Sequence, residues 1–261
     1  MYDLLFSAFG PQRWWPAPTA FEVVVGAYLT QNTSWKAVER SLANLRAAGT
    51  LNIEGLRAIS VDQLRDLIRP SGFYTRKAPA LKAFVDLLDR EFSGSLDVMA
   101  SLSTEKLRKR LLSLPGVGPE TADAILLYAL KHPVPVADDY LRRLVERHNL
   151  AQASLTRDQS GYDSLVQLTR TAFAADDKKD LQLLYGEFHA LTVELGKEHC
   201  KQVALCEGCP LEPDLAYMRK AKPSIKRSFK AQGTKTRGTK VPSQSGSSAL
   251  PGRGDTGTEH Q

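Results

Sequence analysis

The stretch 112–130, LSLPGVGPETADAILLYAL, decides how this chain is read. Gly116 and Gly118 interrupt helical sequence, and Pro119 stands where a new helix would begin. Proline suits a first helical position because the N–H it lacks would have no partner within the helix. On the near side, STEKLRKRLLSL (103–114) carries helical apolar spacing. On the far side, PETADAILLYALKH (119–132) does the same. The unit is therefore two helices joined by a tight glycine turn. Glycines there let backbone N–H groups face outward, so that an anion such as a phosphate can approach a helix N-terminus. On these glycines alone, a plain helix corner with glycine for geometry is the favoured reading.

Working outward, helical periodicity dominates and no run alternates long enough for a sheet, so the fold class is all-α. TAFE (19–22) fits a capping box, with Thr19 at the N-cap and Glu22 three places on. The helix FEVVVGAYL (21–29) stops at TQNTS (30–34), and WKAVERSLANLRAAG (35–49) runs to Gly49, a C′ residue. Further helices are read at 60–74, 75–94, 157–175 and 178–198, and DYLRRLVERH (139–148) follows the hairpin. From about Met218 the residues turn to Lys, Arg, Ser, Gly, Pro and Gln, the composition of a disordered basic tail. The chain has 261 residues and a formal charge of +6, which favours a polyanionic partner. No span reaches membrane length, so no membrane partner and a cytoplasmic location are expected.

PVPVADDYLRRLVERH (133–148) sets Asp138 and Asp139 between an apolar run and an amphipathic helix. Taken alone, an aspartate there reads as a helix cap, since its carboxylate accepts from first-turn N–H groups.

The string LPGVGPETA (114–122) resembles the helix-hairpin-helix of the endonuclease III superfamily of DNA glycosylases. FEVVVGAYLTQNTSWKAVERSLANL (21–45) and RPSGFYTRKA (69–78) extend the likeness over roughly residues 15–215. The resemblance implies a two-domain fold, with residues 22–132 as a helical domain holding the hairpin. Residues 1–21 and 133–217 form the second, residues 218–261 the tail, and the active site lies in the cleft between the domains. The family's essential aspartate, shortly after the hairpin, falls on Asp138, which leaves Asp139 as the cap or a surface residue. A carboxylate there stabilises the positive charge that builds on the deoxyribose as the base leaves, and positions water. Bifunctional members carry a lysine where this chain has Glu120. A carboxylate cannot form an imine, so a monofunctional enzyme without lyase activity is expected.

All three tryptophans, Trp14, Trp15 and Trp35, flank one helix pair. Taken alone, Trp35, three residues before Val38, reads first as core, and Trp14 or Trp15 as a staple of the N-terminus. RWWPAPTAFEVVVGAYLTQNTSW (13–35), however, resembles the bacterial 3-methyladenine DNA glycosylases of the endonuclease III-like type. Carried across, Trp15 and Trp35 sandwich an extruded base, Pro16 shapes the pocket and Tyr140 joins it. Indole faces attract a cationic, alkylated purine by roughly 0.5–2 kcal/mol per contact. Gln31 matches the residue that wedges into the emptied stack, where a helix-terminating polar residue is the plainer reading. The hairpin's Gly116, Val117 and Gly118, with Glu120 and Thr121, are the implied DNA contacts. The expected partner is double-stranded DNA carrying a damaged base, bound by a monomer associated with the nucleoid. A glycosylase for mismatched or deaminated pyrimidines, or a hairpin protein without catalysis, remains open.

The chain's three cysteines fall in CKQVALCEGCPLEPDL (200–215), which resembles the family's [4Fe-4S] loop, C-x6-C-x2-C-x5-C. Here the first gap is one residue shorter and Leu215 stands in the fourth cysteine's place. Cys200, Cys206 and Cys209 with an outside ligand, such as Glu212 or Asp214, could hold a degenerate cluster, and a relic loop without one is the alternative. Zinc on these cysteines with His199 is disfavoured, since adjacent Cys and His seldom chelate one tetrahedral ion.

Overall fold

Short polar side chains begin most of the helices in the computed structural model, which describes residues 1–151, 155–174 and 180–215. In chain order these are α1 Tyr2–Phe9, α2 Ala20–Leu29, α3 Trp35–Ala47, α4 Ile53–Ala58, α5 Val61–Leu67 and α6 Tyr74–Phe92. There follow α7 Leu96–Ala100, α8 Thr104–Leu112, α9 Pro119–Ala124, α10 Asp139–Arg147, α11 Gln159–Phe173 and α12 Leu181–Glu198. Asn52, Ser95, Asp158 and Asp180 each accept from a first-turn N–H of the helix they precede. Each such cap is worth roughly 1 kcal/mol. Thr19 caps α2 through the N–H of Glu22, but the Glu22 carboxylate goes to Arg46 at 2.7 Å, so the reciprocal half of the expected box is absent. The full box belongs to α5, where Ser60 and Gln63 satisfy each other. Gly49 follows α3 at φ 68°, as a helix-terminating glycine should.

Among the described residues there is no strand, and no helix is long and apolar enough to cross a membrane. Helices α1, α4 and α7 were not expected from the sequence. At 8, 6 and 5 residues they are too short to display a period. The helix read over 119–132 is α9 followed by a π-helical turn, Ile125–Ala129. The basic tail expected from 218 onward lies outside the described residues.

Apolar side chains gather in two clusters. The larger is centred on fully buried Tyr28, Leu45, Leu64, Leu81 and Phe84, from α2, α3, α5 and α6. The smaller joins Leu5 of α1, Leu141 and Leu144 of α10, Leu165 of α11, and Leu191 and Leu195 of α12. Helix α12 serves both, because Leu184 and Tyr185 near its start belong to the larger cluster. Burying each such leucine contributes about 1.5–3 kcal/mol. A polar brace also links them. Asp123 of α9 is fully buried, accepts from Arg108 of α8 at Nε (2.7 Å) and Nη2 (3.1 Å), and takes the Tyr162 hydroxyl of α11 at 2.8 Å.

Candidate active site

The hairpin turn needs one of its glycines for backbone geometry, and the other has no such need. Gly116 lies at φ 74°, in the left-handed region that disfavours a side chain. Gly118 has an ordinary φ of −91°, and a Cβ added there would meet nothing within 4 Å. Neither conformation nor packing demands glycine at 118, so what it supplies is bare backbone facing outward. Val117 between them buries its side chain in the larger cluster and donates its N–H to the Leu114 carbonyl at 3.3 Å. Its side chain anchors the turn, and any contact it makes with DNA is left to its backbone.

The loop between α2 and α3 docks on this turn. Gln31 donates through Nε2 to the Gly116 carbonyl and to Thr121 Oγ1, both at 2.9 Å. Buried Lys77 holds the loop from beneath, its Nζ donating at 2.8 Å to the Leu29 carbonyl, Thr33 Oγ1 and the Ser71 carbonyl. Burial pushes the Lys77 amine down to about 8.

Beside the hairpin opens a cavity of about 710 Å³, lined by Trp14, Trp15, Trp35, Gln31, Glu120, Thr121, Asp138, Tyr140 and His189 among others. Asp138 is the N-cap of α10. Its carbonyl accepts the first helical bond, from Arg142 N–H at 3.0 Å, and its Oδ1 accepts from Leu141 N–H at 2.8 Å. Of the two readings of Asp139, cap or surface residue, the first is corrected and the second holds. Asp139 is exposed and pairs with Arg157 at 3.0 Å and Arg142 at 3.5 Å. Capping and cavity lining are both functions of Asp138, whose Oδ2 stands 3.6 Å from His189 Nε2.

His189, on α12, is held from its other nitrogen. The Tyr128 hydroxyl, from the π turn, lies 2.7 Å from His189 Nδ1 and donates to the Gly186 carbonyl at 3.0 Å. Glycine at 186 permits this, since a Cβ there would press on the Tyr128 ring at 3.3 Å. Glu120 opens on the same cavity. Water still reaches its side chain, yet protein crowds it on most sides, and that lost hydration, with the charge of Asp138, pushes its carboxyl up to about 7.

The aromatic wall is fuller than the sequence suggested. Trp15 lies over the bare backbone of Gly26, where a Cβ would come within 3.1 Å of the indole. Trp15 and Trp35 meet edge to face, centroids 5.8 Å apart and planes at 76°, and Trp35 Nε1 donates to Glu39 at 3.0 Å. Trp14, not expected in the pocket, stands between Trp15 (5.3 Å) and His189 (5.4 Å). Tyr140 lines the cavity with its ring against Gly196 and the Arg143 guanidinium 4.7 Å from the ring centroid. Pro16 is exposed and is not part of the lining. His189, Trp14 and the Tyr128 support were missed because contacts 61 residues apart, such as Tyr128 with His189, leave no local spacing to read.

The cysteine loop is braced rather than arranged around an ion. Cys200 is buried and accepts at Sγ from Arg147 Nη1 at 3.0 Å, while its carbonyl accepts from Arg143 Nε at 2.9 Å. Burial pushes the Cys209 thiol up. Among the described residues no group of three or more His, Cys, Asp or Glu is disposed to hold a metal ion. With three cysteines in the chain and Leu215 in the fourth position, the residues do not fit a four-thiolate cluster.

Comparison with known proteins bears on this geometry. The family model for HhH-GPD superfamily base excision DNA repair proteins matches residues 25–164. A candidate DNA repair glycosylase of Methanocaldococcus jannaschii is 41% identical over 214 residues, spanning 81% of this chain and 92% of that protein. An H. pylori 3-methyladenine DNA glycosylase, solved with 1,N6-ethenoadenine, superposes with a TM-score of 0.64 at 31% identity, covering 75% of this chain and 92% of the other. A trapped endonuclease III–DNA intermediate superposes at 0.65 with 19% identity, over 84% and 95% of the two chains, a likeness of fold. The chain, with its glycine hairpin and its aspartate-bearing cavity, belongs to the HhH-GPD superfamily of base excision DNA repair glycosylases.

Proposed function

We propose that this glycosylase is monofunctional and hydrolyses the N-glycosidic bond of cationic alkylated purines, of the 3-methyladenine kind, in double-stranded DNA. The observation that carries the reading is Asp138, whose Oδ2 faces a cavity lined by three indoles. As the C1′–N bond breaks, its electron pair neutralises the cationic purine, which needs no acid to leave. Charge appears on the sugar instead, where a fixed carboxylate in a sheltered cavity stabilises it strongly. The indole faces favour a cationic base over a neutral one. The likeness to a 3-methyladenine glycosylase supports the choice of lesion.

Glu120 supports the hydrolytic route, because a carboxylate offers no amine to attack the sugar. The bare Gly118 backbone and the formal charge of +6 suit a phosphate backbone. In this reading residues 22–132 and residues 1–21 with 133–217 are two lobes that hold the flipped nucleotide between them. Trp15 and Trp35 rotate from their edge-to-face contact to stack on the base, and Gln31 leaves the hairpin to fill the stack. The protein acts as a monomer at the nucleoid and carries out hydrolysis without an iron–sulfur cluster.

Duplexes carrying single defined lesions, probed by alkali for abasic sites, test the reading. Cleavage is expected at 3-methyladenine and 7-methylguanine, and borohydride is expected to trap no covalent adduct. Uracil or thymine release from mispairs, or efficient trapping, would overturn it.

A further inference from the structure

We infer that His189 is a second catalytic group of this site. Its Nε2 and Asp138 Oδ2 together bind the attacking water, and Nε2 takes the proton that the water loses. The inference rests on the reading of Asp138 as the carboxylate at the scissile bond.

The hydrogen-bond inventory leads there. A tyrosine hydroxyl has one proton, and that of Tyr128 goes to the Gly186 carbonyl at 3.0 Å. With its proton there, the same oxygen accepts from His189 Nδ1 at 2.7 Å, and this is the arrangement the inference assigns. In that tautomer Nδ1 carries the proton and Nε2 of the neutral ring is a bare acceptor. It faces another acceptor, Asp138 Oδ2, at 3.6 Å, longer than a hydrogen bond. Oδ1 is already engaged by Leu141 N–H, so the carboxylate cannot turn away without losing its cap. Both side chains are buried, at 7% and 8% exposure, and both line the cavity. A water donating one hydrogen to each acceptor satisfies both and directs its lone pair into the cavity.

The step balances. The C1′–N bond breaks with its electron pair going to the purine, and the water oxygen bonds to C1′. The water's proton passes to Nε2, giving an imidazolium beside the Asp138 carboxylate, which then releases it to solvent. The other charged or titratable groups facing His189 are Glu120 from α9 and Tyr128 from the π turn, with Glu187 nearby acting on Tyr128.

Two measurements on the full chain test this. In ¹⁵N-histidine-labelled protein, the resonance lost in His189→Asn should report a protonated Nδ1 and a bare Nε2, and Tyr128→Phe should release that preference. A neutral ring protonated at Nε2 overturns the proposal, and this readout needs no substrate. In single-turnover base release, His189→Asn keeps a donor toward Tyr128 but removes the base. A loss of about 10²-fold is expected, with melting temperature and lesion-duplex affinity near the parent's and the imidazole limb of the pH–rate profile gone. A folded His189→Asn variant with the parent's rate and profile also overturns it. Asp138→Asn run in parallel separates the two readings. Full activity there, with His189→Asn inactive, would remove Asp138 from the reaction and retain His189 as its base.

Discussion

Two aspartates, Asp123 within the hairpin's second helix and Asp138 beyond it, are both buried, and they are finished differently. Asp123 has both oxygens occupied, by two guanidinium N–H groups of Arg108 and by the Tyr162 hydroxyl. Burial raises its carboxyl and the Arg108 partnership opposes that rise. Asp138 has one oxygen on a backbone N–H and the other turned to an aromatic cavity, facing a histidine nitrogen beyond bonding distance. A saturated carboxylate has no capacity left for a substrate and acts as a brace between helices. A carboxylate with a free oxygen in a sheltered cavity can stabilise charge when it appears. Burial is common to both, so it is the unfilled acceptor that distinguishes Asp138, the aspartate proposed to react.

The comparison can be broken most sharply at Asp138. Asp138→Asn keeps an oxygen for the Leu141 N–H cap and removes the charge. Base release should fall by about 10⁴-fold, while the melting temperature and lesion-duplex binding stay near the parent's. Full activity in this variant together with an inactive Asp139→Asn would transfer the role one residue along.

At the brace the pattern should reverse. Asp123→Ala leaves Arg108 without its buried partner and should cost about 3–5 kcal/mol of stability, read by denaturant unfolding. Under conditions where the variant stays folded it should retain most of its rate. A stable Asp123→Ala protein that is catalytically dead would sink the distinction.

A smaller effect is expected at the indoles. Trp15→Ala and Trp35→Ala each lose a stacking face worth roughly 1–3 kcal/mol, which should slow excision of cationic purines. Affinity for undamaged duplex, set at the phosphates, should change little. Melting temperatures must accompany these rates, since Trp15 also packs on Gly26 and Tyr128.

The smallest effect concerns Glu120. Its carboxyl is raised from 4.5 to about 7 in the folded chain, so the native state binds more protons than the unfolded state between those values. Its contribution to stability is therefore present below pH 4.5 and is lost as pH rises through about 7. Glu120→Gln should flatten that part of the stability–pH curve, and an unchanged slope would show that Asp138 and the cavity walls do not hold the proton there.

Much of the site was legible because its signals are local. The glycine turn, the helix after it and an aspartate at a set distance beyond are contiguous in sequence, and so are two tryptophans beside a helix start. Asp138 and Asp139 could be told apart only by resemblance, since either aspartate satisfies a cap from sequence alone. Pro16 was carried into the pocket by its neighbours and lies outside it.

The sequence alone determined the helical class through its 3.6-residue apolar period and the hairpin through two glycines and a proline. Only the tertiary structure decided which acceptors remain unfilled. That depends on where separate helices bring polar groups: Arg108 and Tyr162 to Asp123, Leu141 N–H to one oxygen of Asp138, and the Tyr128 hydroxyl to the far side of His189. A sequence states which groups can donate and accept. Their pairing is set by packing between helices remote in the chain, and the Asp138 oxygen left facing the cavity is part of what that packing leaves over.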